Sequence, residues 1–253
     1  MTDFHAAGGL PELLRQLRPL LRLGARTVTG QTLGEALDGI PPFILATAGD
    51  GGRNPVIRPS SDPLHPASSL VALAGNLAPG GAVIKASASK DRRLLKHAGP
   101  AVVFKNTEDL AARIDDPDLD VTPDSVLVLQ GIGPIGFPGM PEAGLIPIPR
   151  KLASQGVADM LRVSDGRMSG TAGGTVVLHV SPEAADPRSV FGIVRDGDTI
   201  RLDVEARTLH VELDDGEIEA RLAESQARVQ GERERAEEGL DFDFLTARGP
   251  TGS

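Results

Sequence analysis

From residue 71 onward the chain consists of short apolar, β-branched runs set between helical or glycine-rich stretches, and this alternation constrains its fold more than any other feature. The runs "AVIK", "AVVFK" and "SVLVLQ" come first, with a helix predicted to open at Thr107 between the second and the third. Strands interleaved with helices predict a mixed α/β sheet or barrel with helical cover. Further along come "VADMLRVSD", "GTVVLHV", "SVFGIVRDGDTIRLDV" and "RTLHVELD". The turn "RDGD", set between alternating runs, predicts a hairpin there and an antiparallel meander for this part of the sheet.

The first 70 residues read differently. "LPELLRQLRPLLR" repeats Leu at helical spacing, and Pro19 is placed to end or kink that helix. In "TLGEALDG", Thr32 is a candidate N-cap with Glu35 three residues on, the signature of a capping box. Residues 40–70, rich in Pro, Gly and Ser, read as an extended connection. The expected organisation is a helical lead-in and linker over 1–70 and the main domain over 71–253, closing on a charged helix in "DGEIEARLAESQARVQGERERAEEGLD". No internal repeat is present.

Composition narrows the function. Forty per cent of the 253 residues are hydrophobic and 24% charged, ordinary globular usage. A net charge of -9, with no basic stripe interleaved with aromatics, argues against nucleic acid and anionic lipid as partners and favours a small molecule. No apolar run approaches the roughly 20 residues that span a bilayer. The opening "MTDFHAAGGLPELL" lacks the basic and apolar regions of a secretory signal, so a cytoplasmic location is expected. With no cysteine, the chain can form no disulfide, thiolate nucleophile or Cys-held iron–sulfur cluster of its own. Trp and Tyr are absent too, which leaves the seven Phe and the aliphatic residues to build the core.

Four features could carry chemistry. Asn76, in "GNLAPGGAVIK", sits in a turn before a strand and reads first as structural. His5, His65, His97, His179 and His210 are scattered without ligand spacing. "SDGRMSGTAGGT" is a glycine-rich turn directly after a strand, with Ser169 near its apex; it suits an anion or nucleophile site, although the pattern alone reads first as a plain turn. It is neither a Gly-x-Ser-x-Gly elbow nor a P-loop. "GPIGFPGMPEAG" packs glycines and prolines around one acid, Glu142, and taken alone could be a surface turn.

Taken in order, "GNLAPGGAVIK", "GPIGFPGMPEAG", "DGRMSGTAGGTVVLHVSPEAA" and "VRDGDTIRLDV" resemble successive signatures of the C-terminal part of the dihydroxy-acid dehydratase and 6-phosphogluconate dehydratase family. The resemblance runs from "DFHAAGGLP" almost to "DFDFL". "SGT" followed by "TVVLHVSPEAA", with "PGMPEAGLIPIPRKL", looks most like the sugar-acid branch, which acts on aldonic acids such as arabinonate or xylonate. The resemblance implies a β-barrel of mixed strands flanked by helices, of the swivelling-domain type. It also implies a hydro-lyase reaction in which a 2,3-dihydroxy acid loses water to give a 2-keto acid. By that resemblance Ser169 is the base for the C2 proton, Thr171 contacts substrate, and Glu142 is a ligand of Mg2+. Proline and glycine around Glu142 would then hold one carboxylate at the metal with little conformational freedom to lose.

The family's cluster cysteines and its other Mg2+ ligands belong to a longer N-terminal domain absent from this sequence. The chain is therefore expected to be inactive by itself and to need a cluster-bearing N-terminal domain in cis or trans. The alternative is a non-catalytic binding or assembly module derived from the same domain. Self-association into a homo-oligomer is expected by resemblance. The segment "QGERERAEEG" stands where many relatives have an aromatic-containing one.

Overall fold

The computed structural model describes residues 1–41, 54–64, 69–169 and 173–246. Two compact units divide the chain, Met1–Ser68 and Ser69–Ser253.

In the first unit, α1 (Thr2–Ala6), α2 (Gly9–Gln16) and α3 (Leu33–Asp38) are short. Helix α2 stops at Gln16, and Pro19 falls inside a following 3-10 turn, Arg18–Leu20, where its missing N–H costs nothing. Thr32 and Glu35 form the full capping box: the Glu35 amide donates to Thr32 Oγ1 (3.2 Å) and the Thr32 amide to Glu35 Oε2 (2.7 Å). Much of the proposed connection, residues 42–53 and 65–68 with His65, lies outside the described residues.

The second unit is a mixed α/β barrel flanked by helices. Its strands are β1 (Leu70–Leu73), β2 (Gly81–Lys85), β3 (Lys96–Phe104), β4 (Val126–Leu129), β5 (Arg162–Ser164), β6 (Val176–Ser181), β7 (Thr199–Asp203) and β8 (Thr208–Val211), in the sheet order β1-β2-β6-β5-β4-β3-β7-β8. Strands β3, β4, β5 and β6 run parallel to their neighbours in the middle of the sheet, and the outer pairings β1·β2, β2·β6, β3·β7 and β7·β8 are antiparallel. A parallel bridge between Ala74 and Thr208 joins the two ends. There the Ala74 amide donates to Arg207 O (3.0 Å) and the Leu209 amide to Ala74 O (3.0 Å). Asn76 extends the seam by imitating a peptide group: its Nδ2 donates to Val211 O and its Oδ1 accepts from the Val211 amide, both at 2.8 Å. A Cβ on Gly75 would lie 2.0 Å from Leu209 O, so closure at this point requires glycine. The structural reading of Asn76 is therefore the one the fold supports.

Alternation along β3 and β4 divides the core in two. Ala101, Val103, Val126 and Val128 point into the barrel with Phe191 and Ile200. Val102, Phe104, Leu127 and Leu129 point outward and are covered by Leu110 of α4 (Thr107–Arg113), by Ile114 just after that helix, and by Leu152 of α5 (Arg150–Ala153). Strand β4 is buried on both faces, which is why "VLVL" is a continuous apolar run. The last helix, α6 (Asp215–Thr246), is fastened near its start by Arg221, which donates to Asp198 Oδ2 and Glu217 Oε1, both at 2.6 Å.

The antiparallel meander expected after residue 157 is corrected. Strands β5 and β6 run parallel, and β6 and β7 are not neighbours. "SVFGIV" forms a 3-10 turn at Phe191–Ile193 that plugs the barrel with fully buried Phe191. "RDGD" then turns the chain into β7, with the Arg195 amide donating to Asp198 Oδ2 (2.7 Å) and Gly197 at φ 88°. Burial of Phe191 outweighed the local strand pattern. The hairpin falls one turn later, between β7 and β8.

Candidate active site

The parallel register of β4 and β5, with Leu127 opposite Arg162 and Leu129 opposite Ser164, brings the segments that follow them to one end of the barrel. After β4 comes the proline–glycine loop carrying Glu142, and after β5 the glycine-rich crossover carrying Ser169. Both of these candidate residues thus leave the same sheet edge.

Two carboxylates fix the start of the Glu142 loop. Asp165, directly after β5 and 2% exposed, accepts from the amides of Gly131 (3.0 Å), Ile132 (3.1 Å) and Ala184 (2.9 Å). Glu183 Oε2 accepts from the amides of Ile135 (2.7 Å) and Gly136 (3.0 Å). Burial pushes the Asp165 carboxyl above the ordinary aspartate value; its three amide bonds work against this, and neighbouring Glu183 adds to it. Loop amides with no ladder partner are thereby satisfied.

Further along, Arg167 joins the Glu142 loop to the Ser169 segment. Its Nε donates to Met140 O (2.6 Å), its own carbonyl accepts from the Gly144 amide (2.8 Å), and its Nη1 stands 3.5 Å from Glu142 Oε1. A Cβ on Gly144 would lie 2.7 Å from Arg167 O, so the loop can approach this closely only with glycine there. The Glu142 side chain is about half exposed, at 52%. Ser169 follows two residues after Arg167 and is exposed. Thr171 lies outside the described residues, as do positions 170 and 172.

The far end of the crossover is locked by a buried cluster that the sequence reading missed. Asp159 accepts from the Thr175 amide (3.0 Å) and hydroxyl (2.8 Å), the Lys90 amide (2.9 Å) and Arg162 Nη2 (2.7 Å). Arg162, 4% exposed, also donates to Ile146 O (3.1 Å), which ties in the end of the Glu142 loop. Burial alone would raise the Asp159 carboxyl, but the Thr175 and Lys90 donors and the Arg162 guanidinium more than offset it and hold the group below its ordinary value. Desolvation lowers Arg162. The signal in the sequence was an acid and an arginine interrupting the apolar stretch "ADMLRVS".

Comparison with known proteins decides the family. Residues 55–241 match the family described as dihydroxy-acid/6-phosphogluconate dehydratase C-terminal. The chain belongs to this dehydratase family. It is 44% identical to a 6-deoxy-6-sulfo-D-gluconate dehydratase of Pseudomonas putida, over 98% of this chain and 43% of the relative. It is 43% identical to an L-arabonate dehydratase of Azospirillum brasilense, over 97% of this chain and 44% of the relative. A dihydroxy-acid dehydratase of Dehalococcoides mccartyi is 39% identical over 88% of this chain and 38% of the relative. The chain thus spans less than half the length of these relatives, and sugar-acid dehydratases are the more similar among them.

Within this dehydratase domain, the donors can be tested against the cofactors that the resemblance implies. Glu142 offers an accessible carboxylate, the hard oxygen donor that Mg2+ takes. Among the described residues no group of three or more His, Cys, Asp or Glu converges on a metal position. Glu142 is thus chemically compatible with Mg2+ as a single oxygen donor, and the described residues of this chain form no complete metal site. His97 Nε2 instead meets Asp124 O (2.8 Å), and His210 Nδ1 accepts from the Asn76 amide (3.3 Å). A thiolate-held iron–sulfur cluster does not fit this chain, which has no Cys. No helix among the described residues is long and apolar enough to cross a membrane.

Proposed function

We propose that this chain is the C-terminal active-site part of a hydro-lyase that converts a 2,3-dihydroxy sugar acid into a 2-keto-3-deoxy acid, working with a cluster-bearing N-terminal domain in cis or trans. Ser169 is the base for the C2 proton, Thr171 a hydrogen-bonding contact to the sugar acid, and Glu142 one ligand of a shared Mg2+. The observation that carries this reading is the Arg167 link, which ties the Glu142 loop to the segment of Ser169 at one barrel end. The resemblance to sugar-acid dehydratases supplies the substrate class.

Bound at Glu142, Mg2+ would supply positive charge that lowers the proton affinity of oxygens beside it, as a free Ser hydroxyl is too weak a base at neutral pH. The backbone of the Glu142 loop is fastened at Asp165, Glu183 and Arg167, so its carboxylate is presented at this end of the barrel. With its own proton already lost to solvent, Ser169 Oγ acts as the alkoxide, takes the C2 proton and becomes the neutral hydroxyl. The C2–H electron pair becomes the C2–C3 double bond as the C3 oxygen leaves, the product being an enol that tautomerises to the 2-keto acid. No residue of this chain is assigned to the departing C3 oxygen. That task falls to the N-terminal domain.

The test is to join this chain to the N-terminal part of the arabonate dehydratase relative and follow 2-keto acid formation from several aldonates and a branched dihydroxy acid. The expected result is turnover by the joined enzyme, fastest with an aldonate, and none by this chain alone. Turnover by the isolated chain would contradict the reading. A folded, cluster-loaded joined protein without turnover would favour the non-catalytic module.

A further inference from the structure

Arg167 makes three contacts that differ in quality. The bond from Nε to Met140 O, at 2.6 Å, is short and charge-assisted, and the Gly144 amide meets Arg167 O at 2.8 Å. The approach to Glu142 Oε1 is long, at 3.5 Å, between side chains 46% and 52% exposed, where solvent weakens an ion pair. Met140 and Gly144 stand two residues before and two residues after Glu142. We propose that Arg167 is a positioning residue that holds the backbone on both sides of Glu142 while leaving its carboxylate available, and so sets that carboxylate against the Ser169 segment.

Local geometry supports this. Met140 has φ 42°, a left-handed conformation uncommon for a residue with a side chain, and its carbonyl is the one that Arg167 Nε binds. Around it the loop is held by local turns, Met140 amide to Phe137 O (2.9 Å) and Ala143 amide to Pro141 O (2.8 Å), which fix shape without tying the loop to the barrel. Arg167 supplies that tie from a firm base. The preceding Gly166 donates its amide to Ser164 Oγ (3.0 Å) and accepts at its carbonyl from the His179 amide (3.1 Å), so Arg167 projects from the braced end of β5. Because Ser169 is two residues on, a shift of the clamp displaces both candidate groups relative to each other.

The inference rests on the functional reading of Glu142 and Ser169 for its consequence in catalysis, and its structural half can be tested without turnover. Hydrogen–deuterium exchange would be compared in this chain and its Arg167→Met, Arg167→Lys and Glu142→Gln variants, with protection of β4 as the internal control for folding. In Arg167→Met the amides of 140–145 should exchange about tenfold faster or more, as expected when a loop loses its anchoring bond. Lysine should restore part of the protection, because its ammonium can donate to Met140 O. Glu142→Gln should leave it near wild type. Unchanged exchange in Arg167→Met, or equal loosening in Glu142→Gln, would overturn the proposal. In the joined enzyme, Arg167→Met should lower kcat by about 100-fold, the scale of a displacement near 1 Å, with KM changed far less and partial recovery by Lys. Loosened exchange with unchanged kcat would also overturn it. A wild-type joined enzyme without turnover, alongside the expected exchange pattern, would remove the functional reading alone.

Discussion

Asp159 and Asp165 flank strand β5, are almost sealed from solvent, and gather amides from distant segments, yet they ionise in opposite directions. Asp159 has a full complement of donors and the buried guanidinium of Arg162, and its carboxyl is held below the ordinary value. Asp165 is surrounded by amides, faces the negative charge of Glu183, and is pushed above it. The same device therefore serves two ends of one crossover. At the far end it is a compensated lock, and at the end that carries Glu142 and Ser169 it is a set of amide bonds around a carboxylate that ionises reluctantly.

The largest effect should come from breaking the lock. Arg162→Met strands a buried carboxylate, and urea denaturation at pH 7 should show a loss of about 3–5 kcal/mol, the usual result of removing one partner of a buried pair. A loss below about 1 kcal/mol would mean that the Thr175 and Lys90 donors suffice and that Arg162 is incidental.

Next in size is Asp165→Asn, expected to cost about 1–3 kcal/mol because some of the gathered amides lose their acceptor. Its pH dependence sharpens the contrast. A folded value raised above the unfolded value of about 3.9 means that the native state binds more protons, so the stability contributed by Asp165 falls as pH rises through that window. The cost of Asp165→Asn should therefore be smaller at pH 8 than at pH 3. Asp159 has the opposite sign. Its contribution is fully present above about pH 3.9 and is lost as pH falls through its lowered folded value, so the cost of Asp159→Asn should shrink on acidification. Paired denaturation curves across this range read both trends, and parallel trends would break the comparison.

Glu183→Gln should have the smallest effect. It retains an oxygen for the amides of Ile135 and Gly136, so the loss of charge assistance should cost about 1 kcal/mol or less. It also removes the neighbouring charge, and NMR titration should show the Asp165 carboxyl shifting downward. An unmoved Asp165 would leave burial as the sole cause of its raised value.

Features set by neighbours in sequence were legible. Thr32 and Glu35 signal their capping box within four residues, Pro19 marks the end of its helix, and "SVLVLQ" declares a strand. Features that depend on remote partners were not. The barrel seam needs Gly75 and Asn76 to meet Leu209 and Val211, and nothing local to "GNLAPGG" reveals that meeting. "SVFGIV" has the pattern of a strand, and only the space inside the barrel makes Phe191 a plug. At the candidate site, Glu142 and Ser169 were singled out through family resemblance, and parallel pairing of β4 and β5 puts their loops on one edge. Arg167 was passed over within "DGRMSG" because its partners, Met140 and Gly144, belong to the other loop.

Ser169 is where the account can be tested most directly. In the joined enzyme, Ser169→Ala should lower kcat with an aldonate by about 1,000-fold or more while KM stays within a few-fold, because a base matters chiefly in the transition state. If kcat of Ser169→Ala stays within a few-fold of wild type, Ser169 is not the base and its loop is a structural crossover.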